Sequence, residues 1–67
     1  MSKNLVEGLL DEMNRCRELL KAYEEIGPAG VFGHSIIQQD IVNAENALSG
    51  GDVVEMLSAY KTLKECQ

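Results

Sequence analysis

The sequence predicts an all-α fold: three helices in an up-down-up arrangement with a long first helix. Three observations carry this. The oily residues are Leu, Ile, Val, Met and Ala, with Tyr23, Phe32 and Tyr60 as the only aromatics and no Trp, a palette that suits helices better than sheets. Apolar positions recur at three- and four-residue spacing along most of the chain. Two strong breaks, Gly27-Pro28 and Gly50-Gly51, cut it into three segments.

The first segment, about 4–26, carries the clearest pattern. Val6, Leu9, Met13, Cys16, Leu20 and Tyr23 form a heptad-like seam, and Leu5, Leu10, Leu19 and Ile26 widen it. Ser2 or Asn4 can cap its start. Gly27-Pro28 ends it, since Gly tolerates positive φ and Pro cannot continue the turn. At 1.5 Å per residue the rod is roughly 33 Å long.

The second helix is expected over about 29–48, with Pro28 favoured at its first position. Gly30 and Gly33 weaken its first turns by about 1 kcal/mol each, so a loop through Gly33 with a start near His34-Ser35 is an alternative. Gly30, Gly33, Ile37, Ile41, Ala44 and Leu48 line one face, and its small members permit close approach of another backbone. Ser49-Gly50-Gly51 reads as a turn. Asp52 then caps a third helix over about 52–65, with Glu55 as capping-box partner. Val53, Met56, Leu57, Tyr60 and Leu63 are its expected apolar face, with Lys61 and Lys64 near its C-terminal end. Short connections imply antiparallel neighbours, so residues 1–67 form a single helical domain.

So short a chain buries only about 60% of the surface its unfolded form exposes, and it needs a supplement such as a disulfide, a metal, regular packing or assembly. Two cysteines, Cys16 and Cys66, and one histidine, His34, supply neither a disulfide framework nor a zinc spacing. Regular packing and oligomerisation remain. The net charge of −5 opposes phosphate backbones, and Arg15-Arg17 with scattered lysines makes no basic stripe, so direct nucleic-acid binding is not expected. Apolar runs are too short for a membrane span or an export signal. The expected location is cytoplasmic, with both thiols reduced.

Candidate chemistry fares poorly. A nucleophile needs a base within hydrogen-bond reach, yet His34 and Ser35 point about 100° apart if both are helical. Cys16 falls on the apolar seam, where it reads as an inert core residue. With helices one and three parallel, the end of helix three is expected near residue 26, roughly 15 Å along the axis from Cys16. A Cys16–Cys66 bridge is therefore not expected, and Cys66 reads as an exposed terminal thiol. No Glu stands three before His34, as a di-metal bundle would need. Asp40 and Glu45 do not share a face. Glu7, Asp11, Glu12 and Glu18 read as a solvated surface, with Asp11–Arg15 an i,i+4 pair. The glycine-rich run from Gly27 to Gly33 follows a helix and lacks Lys-Ser/Thr, so it is not a phosphate cradle. Phe32 within it reads first as a plug at the bundle end, and second as an interface anchor. Leu19–Ile26 also echoes Met56–Leu63, with Tyr23 and Tyr60 aligned; two helices that each use a Tyr explain the echo without duplication.

Glu25-Ile26-Gly27-Pro28-Ala29-Gly30, Phe32-Gly33, Ile37, Asp40-Ile41, Ala44-Glu45, Gly51-Asp52-Val53-Val54, Met56-Leu57 and Ala59-Tyr60 give the stretch from Glu24 to Glu65 a resemblance. It resembles a group of small uncharacterised helical proteins encoded in phages and bacterial prophages. The resemblance implies a bacterial or phage cytoplasmic setting and an accessory role, and it brings no activity, substrate, cofactor or site residue. The expected protein is non-enzymatic, has no cofactor and acts through protein–protein contacts. Its partners are itself, as a homodimer, and another protein, with Leu5, Leu10, Leu19, Val31 and Phe32 as the possible interface. Two alternatives stand beside it: an acidic inhibitor of a host nucleic-acid-binding machine, and a small-ligand carrier or enzyme.

Overall fold

Asn4 fixes where the first helix starts: its side chain accepts from the Glu7 backbone N–H at 2.8 Å and donates to the Glu7 carboxylate at 3.1 Å. The computed structural model describes residues 4–66, so the other candidate cap, Ser2, lies outside the described residues. Helix α1 runs Leu5–Ile26. Gly27 ends it at φ 81°, and its N–H reaches back to the Glu24 carbonyl. One 3₁₀ turn, Gly27–Gly30, with Pro28 in its first half, leads directly into α2, Val31–Gly50. Residues 31–34 are thus helical. Ser49 and Gly50 also belong to the helix, and the turn is left to Gly51 in the left-handed conformation at φ 70°. Asp52 accepts from the backbone N–H groups of Val54 and Glu55 and opens α3, Val53–Lys64. Among the described residues there is no strand.

All three helices pack on one another. Their shared core is Leu9, Met13 and Cys16 of α1, Ile37, Ile41, Ala44 and Ala47 of α2, and Met56 and Leu63 of α3. Leu20, Tyr23, Leu48, Ala59 and Tyr60 pack around it half-buried. The small-residue face of the second helix does bring a backbone close, and the neighbour is α1 itself. A Cβ on Gly30 would run into the Tyr23 carbonyl, and one on Gly33 into the Tyr23 ring. Tyr60 lies likewise on Gly8 of α1, whose Cβ would sit 3.4 Å from the ring.

Three expectations about faces are corrected. Val6, at the start of the expected seam, is exposed. The core face of α3 is turned toward Met56, Ala59, Tyr60, Leu63 and Cys66, leaving Val53 and Leu57 in solvent. Phe32 is not a core plug: it is 78% exposed.

A fourth correction sets the geometry of everything below. α1 and α3 are parallel, but their ends are not level. Tyr60 sits beside Gly8, and Leu63 beside Arg15 and Cys16. The tight Gly51 connection holds the start of α3 near the start of α1, and twelve helical residues climb only about 18 Å. The helix α3 therefore stops halfway up α1. Above it, residues 17–26 of α1 and the first turns of α2 form a two-helix tip with no third layer among the described residues.

Candidate functional site

Where α3 stops, its end presents the Leu63 and Cys66 carbonyls to α1. Arg15, half-exposed on α1, reaches across to them. Its Nη2 donates to the Leu63 carbonyl at 2.6 Å and its Nη1 to the Cys66 carbonyl at 2.9 Å, while its Nε donates to Glu12 at 3.1 Å. A fork of fixed N–H directions is suited to two carbonyls and a carboxylate at once. The Glu12 bond also raises the Arg15 pKa, so the guanidinium stays charged. Glu12, expected on a solvated surface, has a side chain only 17% exposed, because it serves this clasp.

The same carbonyl gathers a sulfur. The Cys16 thiol, fully buried, donates to Leu63 O at 3.5 Å, and the Cys66 backbone N–H donates to that oxygen at 3.1 Å. The Cys66 thiol donates to Asp40 Oδ2 at 3.5 Å and lies 3.6 Å from the Thr62 carbonyl. Cys16 and Cys66 meet at one atom, the Leu63 carbonyl oxygen. Cys66 is thus half-buried against the core and beside Cys16, not an exposed terminal thiol remote from it. Burial is the main force on both. It raises the Cys16 pKa against the opposing pull of Arg15, and it pushes Cys66 up to about 11 with help from Cys16 and Asp40. These are quiet thiols at neutral pH.

The second region is the two-helix tip. His34 Nε2 lies 3.2 Å from a Glu24 carboxylate oxygen, and Ser35 donates its hydroxyl to the Val31 carbonyl one turn back. Ser35 therefore spends its proton on the helix backbone. These residues, with Tyr23, Gly27, Gly30 and Val31, line a shallow depression of about 370 Å³ between the helix ends. Around it Ile26, Val31, Phe32 and Ile36 stand exposed. Phe32 and Ile36 are four apart and share a face. Among the described residues no group of three or more His, Cys, Asp or Glu side chains is placed to hold a metal ion.

Of the five residues read as a possible interface, Leu10, Val31 and Phe32 are exposed, whereas Leu5 and Leu19 lie half-buried against the core. Sequence reasoning did not anticipate the clasp of Arg15, Glu12 and the α3 end, or the meeting of Cys16, Cys66 and Asp40. The shorter third helix, 12 residues against 22 in the first, is the sequence signal that its end falls beside the middle of α1. No family model, no curated protein and no solved structure matches the chain, and no helix of the described residues is long and apolar enough to cross a membrane.

Proposed function

We propose that the protein is a non-enzymatic contact module, a phage-derived or bacterial accessory protein of the cytoplasm that works through protein–protein association, as a homodimer. The observation that carries this reading is the two-helix tip, where Phe32, Val31 and Ile26 are each more than half exposed. A second set of exposed apolar residues supports it. Val6 and Leu10 of α1 and Val53, Val54 and Leu57 of α3 are exposed toward the opposite end of the bundle. Single exposed apolar residues are ordinary, but groups of them mark association surfaces. The small interior sharpens the point. Two of its buried side chains are alanines and one is a cysteine, a thin core for independent stability. The bacterial or phage setting rests on the sequence resemblance alone.

Light scattering coupled to size-exclusion chromatography, under reducing conditions and at tens of micromolar, tests the dimer. The expected mass is twice 7.4 kDa, and a clean monomer refutes it. Phe32→Asp combined with Val31→Asp should return the monomer with helicity intact, because neither side chain is in the core. Capture from bacterial lysate at low salt and at about 0.5 M salt tests the apolar character of any further contact. An apolar contact persists, whereas one lost at high salt points instead to the acidic surface as a mimic of nucleic acid.

A further inference from the structure

We propose that Cys16 and Cys66 are a redox pair, closing a reversible intramolecular disulfide that fastens the end of α3 to the middle of α1. The geometry is specific. Both residues converge on one atom, the Leu63 carbonyl oxygen, Cys16 through its thiol and Cys66 through its backbone N–H. Arg15 pins the two backbone carbonyls on either side of the approach. Neither sulfur is tied by anything stronger than thiol hydrogen bonds, to Leu63 O for Cys16 and to Asp40 and Thr62 O for Cys66. Bond formation needs the two sulfurs to close to about 2.05 Å, and each gives up only those weak bonds.

The oxidant is a small-molecule disulfide, and the order of events follows from exposure. Cys66 is half-buried and Cys16 fully buried, so Cys66 reacts first. Its thiolate attacks one sulfur of the oxidant, forming a mixed disulfide and expelling one small thiolate. Cys16, deprotonated in turn, attacks the Cys66 sulfur and expels the second. Two protein thiols are oxidised and one small disulfide is reduced to two thiols, which take up the two protons released. The raised pKa of both cysteines leaves little thiolate at neutral pH and so slows the first attack. A dithiol reductant reverses the sequence.

The full chain is incubated with oxidised glutathione at micromolar protein and examined by intact mass, non-reducing gel and thermal melting. The expected product is monomeric by covalent mass, lighter by two hydrogens, and faster on the gel. Its melting temperature should rise on the order of 15 to 30 °C, as expected for closing a loop of about 50 residues in so small a domain, and fall back on adding dithiothreitol. Cys66→Ser, at the half-buried position, should lose the whole response while keeping the reduced melting temperature nearly unchanged. Cys16→Ser should stop at a glutathione adduct on Cys66; the Cys66→Ser result stands on its own if Cys16→Ser does not fold. A wild-type chain that stays reduced, halts at the glutathione adduct, or cross-links to a covalent dimer overturns the proposal.

Discussion

The three glycines that lie against α1 or within it allow one substitution, Gly→Ala, to be driven in opposite directions by context alone. In every case the added methyl restricts the unfolded chain and favours helix, a gain of about 0.5–1 kcal/mol where the site can accept it. Gly30 has φ −92° and ψ −6°, which alanine adopts freely, so any penalty there is steric. The obstacle is backbone: the Tyr23 carbonyl oxygen lies far inside contact distance of the new Cβ, and the carbonyl carbon is 3.1 Å away. Nothing can swing aside, so α1 and the 3₁₀ turn must part. Overpacking of this kind costs about 1–3 kcal/mol, and a rigid obstacle puts Gly30→Ala near the upper end, for a net loss of about 2 kcal/mol. In a domain this small that lowers the melting temperature by roughly 8–16 °C. At Gly33 the obstacle is the Tyr23 ring, whose Cε2 lies far inside contact distance of the new Cβ and whose Cδ2 would be 2.8 Å away. A side chain yields more readily than backbone, so the net loss should be smaller than at Gly30. At Gly8 the new Cβ would touch the Tyr60 ring at 3.4 Å, an ordinary contact, and Gly8→Ala should stabilise by about 0.5–1 kcal/mol. Urea unfolding followed by far-ultraviolet circular dichroism should rank the midpoints Gly8→Ala, wild type, Gly33→Ala, Gly30→Ala, from high to low. A Gly30→Ala midpoint at or above wild type refutes the close approach of α1 and the 3₁₀ turn, and with it the architecture of the tip.

Two further outcomes follow from the clasp and the thiols. Arg15→Met removes two bonds to the α3 carbonyls and strands Glu12, costing about 1–3 kcal/mol; Arg15→Lys should recover only part of it, since an ammonium lacks the fork, and equal stability of Lys and Arg chains would disprove the bidentate role. Cys66, ordinarily near pH 9, is held up to about 11 in the folded chain, so above pH 9 the unfolded state releases a proton that the folded state keeps. Stability tied to this group is therefore full below pH 9 and drains away between pH 9 and 11. Denaturation midpoints of the reduced wild type and Cys66→Ser, nearly equal below pH 9, should separate across that window as the wild type falls, and parallel curves would remove the thiol as the cause.

What the sequence makes legible is local. The Asn4 and Asp52 caps, the Gly27-Pro28 break and the buried trio Leu9, Met13 and Cys16 all depend on residues within a turn of one another, where spacing decides the outcome. The second helix's small face was legible for the same reason. Its occupant, Tyr23, was not, because nothing in the spacing names which neighbour fills the groove. The misread features are long-range. Phe32 reads as a plug only if a third helix reaches the tip, and Cys66 reads as remote only if α3 ends beside residue 26. Both errors come from aligning the tops of helices whose lengths differ. The bundle is aligned at the Gly51 end, where the connection is shortest, and the difference in length accumulates at the other.

That single mismatch explains why the two regions of interest adjoin. Ending α3 halfway up α1 brings the Leu63 and Cys66 carbonyls within reach of Arg15 and gathers Cys16 and Cys66 at the Leu63 oxygen. The same ending withdraws the third layer from the tip. There Tyr23 closes the two remaining helices against Gly30 and Gly33 and leaves Val31 and Phe32 with no core to enter. The depression lined by Tyr23, Gly33, Ile36, Ile37, Thr62, Glu65 and Cys66 lies at this step, touching the base of the tip on one side and Cys66 on the other. A bond between Cys16 and Cys66 would thus tether α3 where the bundle narrows from three helices to two. A partner held at the tip and an oxidant acting on the thiols would bear on neighbouring turns of the same two helices.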